Sequence, residues 1–250
     1  MLLMQKGRYR VRIAQCPRDI RRAQSLRYKT FLEPIGSVGA KGAIDGDRFD
    51  ASCLHVLIED IKKEKLVGCF RLLPLSDGSE IEKTYSAQYY DLSALHKFKA
   101  PMAELGRFSI DSDSADPDVL RIAWGAMTHL VDQTGVKMLF GCSSFKGVEA
   151  QNYQDAFAYL KARHLAPDCW QPGAKAENIY RFTQDKYHRA DEQRSLSQLP
   201  SLLRTYLDMG GWVSDHAVVD VELNTLHVFT GLEIVNIPPT RARWLRAMAA

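Results

Sequence analysis

Long apolar runs are missing from these 250 residues, and no stretch approaches the length of a membrane span. The N-terminus is apolar only through Met1-Leu2-Leu3-Met4, too short for the apolar region of a secretion signal. The cysteines, Cys16, Cys53, Cys69, Cys142 and Cys169, are five in number and widely spaced. Without a CxxC or a Cys/His pair at ligand spacing, neither a disulfide framework nor a metal site is expected. A phosphate-binding loop, a dinucleotide fingerprint and a Gly-x-Ser-x-Gly elbow are all absent, and His55, His129, His164, His216 and His227 show no paired spacing. Cys142 reads as strand packing rather than a thiolate. These absences predict a cytoplasmic protein with no metal and no resident cofactor.

Net charge is also scarce, at +3, too little to suggest nucleic acid. Its distribution says more. Lys6, Arg8, Arg10, Arg12, Arg18, Arg21, Arg22, Arg27 and Lys29 face a single acid, Asp19, in the first thirty residues. Such a cluster suits an acidic protein, a phosphate group or an anionic membrane surface, or is simply a solvated face.

The pattern reads as one mixed α/β domain over residues 1–250. A strand Tyr9 to Ala14 precedes a helix opened by Pro17 and ending near Glu33-Pro34. Its inward stripe, Ile20, Ala23, Gln24, Arg27 and Phe31, puts a guanidinium on the apolar face. Arg27 either snorkels outward or meets a buried anion. Three acids in the Gly36 to Asp50 stretch, Asp45, Asp47 and Asp50, resemble half a calcium loop. The remaining ligands are missing, so calcium is not expected. Strands Cys53 to Glu59 and Leu66 to Leu73 form a hairpin, with Arg71 on the face of Val67 and Cys69.

A helix from Asp116-Pro117 to Thr134, stopped by Gly135, carries the stripe Leu120, Ala123, Trp124, Met127, Leu130 and Val131. Val136 to Cys142 is a buried central strand, followed by a helix from about Gly147 to His164. The polar segment Ala166 to Ser197 wraps the surface. A helix Leu199 to Met209 and strand-like runs Trp212 to Val221 and Leu226 to Val235 complete the core.

The most informative stretch is the strand Met102 to Asp111. Simple alternation puts Glu104 in the apolar row of Met102, Gly106, Phe108 and Ile110. A buried carboxylate without a partner costs several kcal/mol in rough terms. A bulge at Gly106 would bring Glu104 and Arg107 to one face, as an ion pair or as two walls of a site.

The residues Arg27…Phe31, Asp47-x-Phe49-Asp50, Arg71 and Glu104-x-x-Arg107-Phe108 resemble those of acyl-homoserine-lactone synthases. A neighbouring family is closer. Gln24-x-Leu26-Arg27-Tyr28-x-x-Phe31, Tyr90-Asp91-Leu92-Ser93, Glu104-x-Gly106-Arg107, Leu139-x-Gly141-Cys142-x-Ser144-Phe145-x-Gly147 and His164-Leu165-Ala166-Pro167 resemble the L-ornithine Nα-acyltransferases of ornithine-lipid synthesis. So do Pro200-x-Leu202-Leu203-x-x-Tyr206-Leu207-x-x-Gly210-Gly211, Asp215-x-Ala217-Val218-Val219-Asp220 and Leu223-Asn224-Thr225, which lactone synthases lack. The tryptophan that lactone synthases carry after the first helix is missing here.

The resemblance implies a GNAT-like fold. It implies transfer of a 3-hydroxyacyl group from acyl carrier protein to the α-amine of L-ornithine, giving lyso-ornithine lipid, with peripheral contact at the inner membrane. Glu104 and Arg107 are its catalytic candidates; Arg27, Phe31, Asp47, Asp50, Arg71 and Phe108 are its substrate-binding candidates. The segment Asp111 to Asp116 lacks the glycine-rich basic loop that cradles coenzyme A, which disfavours that donor. The competing expectations are a lactone synthase, an N-acyltransferase for another amino acid, and a non-catalytic acyl-carrier or membrane-binding protein.

Overall fold

The computed structural model describes residues 1–36, 43–114, 116–183 and 191–249. Parts of the glycine-rich stretch and of the polar segment before Ser197 lie outside the described residues, as does Ala115. The first half of the chain runs β1 (Leu2–Lys6), β2 (Tyr9–Ile13), α1 (Pro17–Arg27), β3 (Leu54–Asp60), β4 (Lys65–Leu75), β5 (Tyr90–Asp91), β6 (Met102–Ile110) and α2 (Pro117–Thr134). The second runs β7 (Met138–Lys146), α3 (Gln154–Arg163), β8 (Gly173–Ala174), β9 (Ile179–Arg181), α4 (Glu192–Gln198), α5 (Ser201–Asp208), β10 (Trp212–Val213), β11 (His216–Asp220), β12 (Thr225–Glu233) and α6 (Pro239–Ala249). The chain divides into two compact units: Met1–Pro74 with Leu105–Val136 and Pro239–Ala250, and Leu75–Glu104 with Lys137–Pro238.

In the first unit β1 to β4 form an antiparallel meander, and β4 is hydrogen-bonded to β6. The hairpin read at Cys53 to Leu73 is β3 and β4. β1 was not foreseen: the apolar start pairs with β2 around a turn at Gly7, whose φ of +58° suits glycine. Helix α1 packs Ala23 and Leu26 on Leu57 and Cys69. Its buried face is Asp19, Ala23, Leu26 and Arg27, not the expected Ile20, Gln24 and Phe31. For Phe31 the reason is local: after Arg27 the chain enters a π-turn, Tyr28–Leu32, so Phe31 does not return to the face of Arg27 and is half-buried.

Helix α2 matches its expected limits, with Asp116 capping the amide of Asp118 and Gly135 closing it at φ +68°. Val119 is buried where Leu120 was expected, and Leu120 is half-buried. Helix α6, not foreseen, packs on α2 with Arg246 paired to Asp132 at 3.0 Å.

In the second unit β6 pairs parallel with β7 through Met102–Glu104. β7, β12, β11 and β9 continue as antiparallel neighbours, so the sheet is mixed. β7 is central, as its unbroken apolar run requires. The following helix starts at Gln154, after a 3₁₀ turn Ala150–Tyr153, rather than near Gly147. Phe157 anchors this core, stacked on Phe182 at 4.9 Å and edge-on to Phe145 at 5.1 Å.

Candidate active site

Three arginines and three aspartates close an alternating ring in the first unit. Arg27 lies on α1, Arg71 on β4 and Arg107 on β6, while Asp45, Asp47 and Asp50 come from the loop before β3. Arg27 Nε is 2.9 Å from Asp45 and its Nη1 is 2.6 Å from Asp50. Arg71 spans Asp50 at 2.6 Å and Asp47 at 2.6 and 2.8 Å. Arg107 returns from Asp47, at 3.4 Å, to Asp45, at 3.0 Å. Each charge therefore meets two of opposite sign, and the ring sums to zero. Asp45, missed by the sequence reasoning, is a full member.

Burial within the ring is graded. The Arg27 side chain is 1% exposed, Arg71 4%, Arg107 13% and Asp47 20%. Asp50 is the inner anchor, also taking a hydrogen bond from Gln24 at 2.9 Å. Burial alone would raise its carboxyl, but Arg27, Gln24 and Arg71 hold it well below the usual range. Asp47 is lowered too, with burial again outweighed by Arg71 and Arg107. The Arg107–Asp47 contact is the longest in the ring and lies at its most exposed edge. Arg107 also has φ +51°, rare for a non-glycine residue in a strand, so the irregularity expected at Gly106 sits one residue later. Phe31 faces the Arg107 guanidinium at 6.0 Å, whereas Phe108 stacks on Phe70 at 5.9 Å.

Glu104, in the second unit, is 5% exposed. Its Oε2 accepts from the amide of Tyr85 at 2.9 Å. Its Oε1 accepts from the amide of Ser86 at 2.7 Å and from the Ser86 hydroxyl at 2.6 Å. These two residues open a 3₁₀ turn, Ser86–Gln88, so the carboxylate occupies the electropositive start of that turn. The Ser86 hydroxyl also lies 3.4 Å from Cys142 Sγ on β7. Neither Tyr85 nor Ser86 carries a motif, so only the tertiary contact reveals them.

The basic N-terminal cluster is largely matched. Glu59 accepts from Arg10, Arg12 and Arg22, and burial notwithstanding, these guanidiniums carry its carboxyl down to about 2. Arg12 also clasps Asp19 at 2.6 and 2.7 Å, and Lys29 meets Asp111 at 2.8 Å. Arg18 and Arg21 are exposed and free of ion pairs among the described residues. Among these residues no group of His, Cys, Asp and Glu could hold a metal ion, and the three acids of the loop spend their oxygens on arginines.

The profile of the acetyltransferase (GNAT) domain matches residues 26–125. The L-ornithine N(alpha)-acyltransferase of Rhodobacter capsulatus is 30% identical over 229 residues, covering 88% of each chain. That of Rhizobium meliloti is 30% identical over 240 residues, covering 90% of this chain and 80% of the relative. The chain belongs to the L-ornithine Nα-acyltransferase family. The acyltransferase shares its fold with FeeM, an N-acyl amino acid synthase from uncultured soil microbes, at TM-score 0.51 and 13% identity, covering 91% of each chain. It is a GNAT acyltransferase with a mixed α/β sheet. Among its described residues no helix is long and apolar enough to cross a membrane.

Proposed function

We propose that this acyltransferase moves a 3-hydroxyacyl group from acyl carrier protein to the α-amine of L-ornithine, giving lyso-ornithine lipid. Glu104 is the general base. The observation that carries this reading is a carboxylate 5% exposed, fixed by two backbone amides and a hydroxyl. The ammonium of an amino acid must lose a proton before it attacks a thioester, and Glu104 takes that proton directly or through water. The new C–N bond forms, the oxyanion collapses, and the C–S bond breaks to release the carrier thiolate, which takes up a proton. Backbone amides around Gly106 and Arg107, where φ +51° interrupts the strand, are the proposed oxyanion donors.

Arg107 binds the α-carboxylate of the acceptor by exchanging its loose 3.4 Å contact with Asp47 for a charge-assisted one. Arg27, Arg71 and Asp50 hold the ring in shape from its buried side. Phe31, against the Arg107 guanidinium, completes the acceptor wall, and Phe108 contributes to the same strand from its stack on Phe70.

Two observations favour a protein-borne donor over coenzyme A. The entry to α2 is acidic: Asp116 caps its first turn, and Asp111 and Asp113 engage Lys29. A pyrophosphate needs amides and positive charge at such a point. In the same unit, Arg18, Arg21, Arg22, Lys29 and Lys65 line a shallow surface pocket with only Glu64 and Asp111 as acids. That surface suits an acidic carrier.

The test is a competition assay: purified protein, 3-hydroxyacyl-carrier protein and an equimolar mixture of L-ornithine, L-lysine, L-leucine, glycine and S-adenosylmethionine. Ornithine should dominate, with lysine slower. A lactone from S-adenosylmethionine would make the protein a lactone synthase, and no turnover at all would make it a binding protein.

A further inference from the structure

Three side chains of the second unit connect the buried carboxylate of Glu104 to a thiol. Ser86 is 0% exposed and Glu104 5%, whereas Cys142 on β7 is half-buried. The Ser86 hydroxyl donates to Oε1 of Glu104 at 2.6 Å, and its oxygen lies 3.4 Å from Cys142 Sγ. A hydroxyl has one proton, and here the carboxylate receives it. In the contact with Cys142 the thiol is therefore the donor. The chain is continuous and directed, from sulfur through Ser86 to Glu104.

The strands set this arrangement up. The β6–β7 ladder places Glu104 opposite Phe140. Cys142 follows Phe140 by two residues and so stands on the same face of β7. On its other flank β12 holds it opposite Phe229. Cys142 is the most exposed of the three residues, so the chain opens outward at its sulfur.

The transfer reaction has a proton to place. Between ammonium and amide the acceptor nitrogen gives up two protons; the departing carrier sulfur gains one, and the other goes to water. We propose that Cys142 is a further catalytic residue, the acid that protonates the departing carrier thiolate. This rests on the reading of Glu104 as the general base and of a thioester as the donor. As the C–S bond breaks, its electron pair stays on the carrier sulfur, and Cys142 gives that sulfur its proton. Glu104, now holding a proton from the amine, donates to Ser86, which frees the Ser86 proton for the cysteine sulfur. Glu104 is ionised again, and Ser86 and Cys142 regain their protons. The carrier thiol and cysteine are alkyl thiols alike, so little free energy separates the two positions of the proton.

The experiment compares two donors on the purified full chain: 3-hydroxyacyl-carrier protein, and the 3-hydroxyacyl ester of thiophenol, whose more acidic thiol leaves without help. Cys142→Ala should lower the carrier-to-thiophenyl ratio of kcat at least about 10-fold, a modest share of typical acid–base contributions. Cys142→Ser, which keeps a proton to pass on, should restore part of the ratio. An equal loss with both donors, or an unchanged ratio in folded protein, would overturn the relay. If the wild type does not turn over the aryl ester, or Cys142→Ala does not fold, single-turnover rates of the wild type on the carrier donor in mixtures of light and heavy water decide. They should curve with the deuterium fraction, because several protons move together; a straight line would overturn the relay. Impaired Glu104→Gln beside an unchanged donor ratio in Cys142→Ala removes the relay and leaves the base standing. Full activity of Glu104→Gln removes the base and the relay with it.

Discussion

The Ser86 hydroxyl stands 2.6 Å from Oε1 of Glu104, within a set of donors that fixes the carboxylate at the start of a 3₁₀ turn. Glu104→Gln should therefore do two things. It removes the proposed base, lowering kcat by about 10²-fold or more. It also points an amide donor at other donors, costing about 1–3 kcal/mol of stability. Circular dichroism separates the two effects, and a folded variant with full activity and an unaltered pH profile would exclude Glu104 from the mechanism.

Ser86→Ala should give a smaller loss. The amides of Tyr85 and Ser86 remain, so the carboxylate stays anchored but less narrowly positioned. We expect a fall in kcat of about one decade, in line with one charge-assisted bond of roughly 1.5–3 kcal/mol, with KM for ornithine nearly constant. A change confined to KM would place Ser86 in binding rather than in support of Glu104.

Arg71→Met should destabilise strongly, because it strands Asp50 and Asp47 in a buried setting; breaking such a pair typically costs about 3–5 kcal/mol. Replacing Asp47, the most exposed member, should cost less stability and more activity. Thermal unfolding beside steady-state kinetics distinguishes the inner from the outer part of the ring. Equal losses of stability at both positions would argue against the graded arrangement.

How much of this was legible in sequence varies by element. The cap Asp116, the stop Gly135 and the apolar run of β7 are local signals, and α2 and β7 lie where they require. Phe31 was misplaced because the π-turn after Arg27 is a departure from helical period that composition does not encode. β1 was overlooked because the apolar start, Met1–Met4, was judged only as too short for a secretion signal and not as the partner of Tyr9–Ile13. Arg27 and Arg71 stood out as polar residues in apolar settings, whereas Asp47, Asp50 and Arg107 became candidates through the family resemblance. Their closure into a ring, and the place of Asp45 in it, depend on which strands adjoin.

Acid stability should depend on Glu59, Asp47 and Asp50. Their carboxyls titrate lower in the folded chain than in the unfolded one, so their contribution is complete above the unfolded values and is lost as pH falls through the folded ones. For Glu59 that window runs from its ordinary value of 4.5 down to about 2. Stability measured by urea unfolding should hold above about pH 5 and decline below it. Glu59→Gln should flatten part of the decline; an unchanged acid limb would show that the arginine cluster does not stabilise through this carboxylate.

Charge reversal at Arg18 and Arg21 should raise the KM for acyl-carrier protein without lowering stability, since neither is ion-paired among the described residues. Reversal at Arg12 should instead unfold the Glu59 and Asp19 network. Rising salt should weaken carrier use in the wild type, as it screens exposed charges. Salt-independent kinetics with equal use of acyl-coenzyme A would count against the basic face as the carrier surface.

The most direct measurement of the central claim is fragment mass spectrometry of the product formed by purified protein from 3-hydroxyacyl-carrier protein and L-ornithine labelled with ¹⁵N at the α-amine alone. The account predicts a single monoacylated ornithine whose amide nitrogen carries the label. An amide on the unlabelled δ-nitrogen, or no acylated ornithine from active, folded protein, would contradict it.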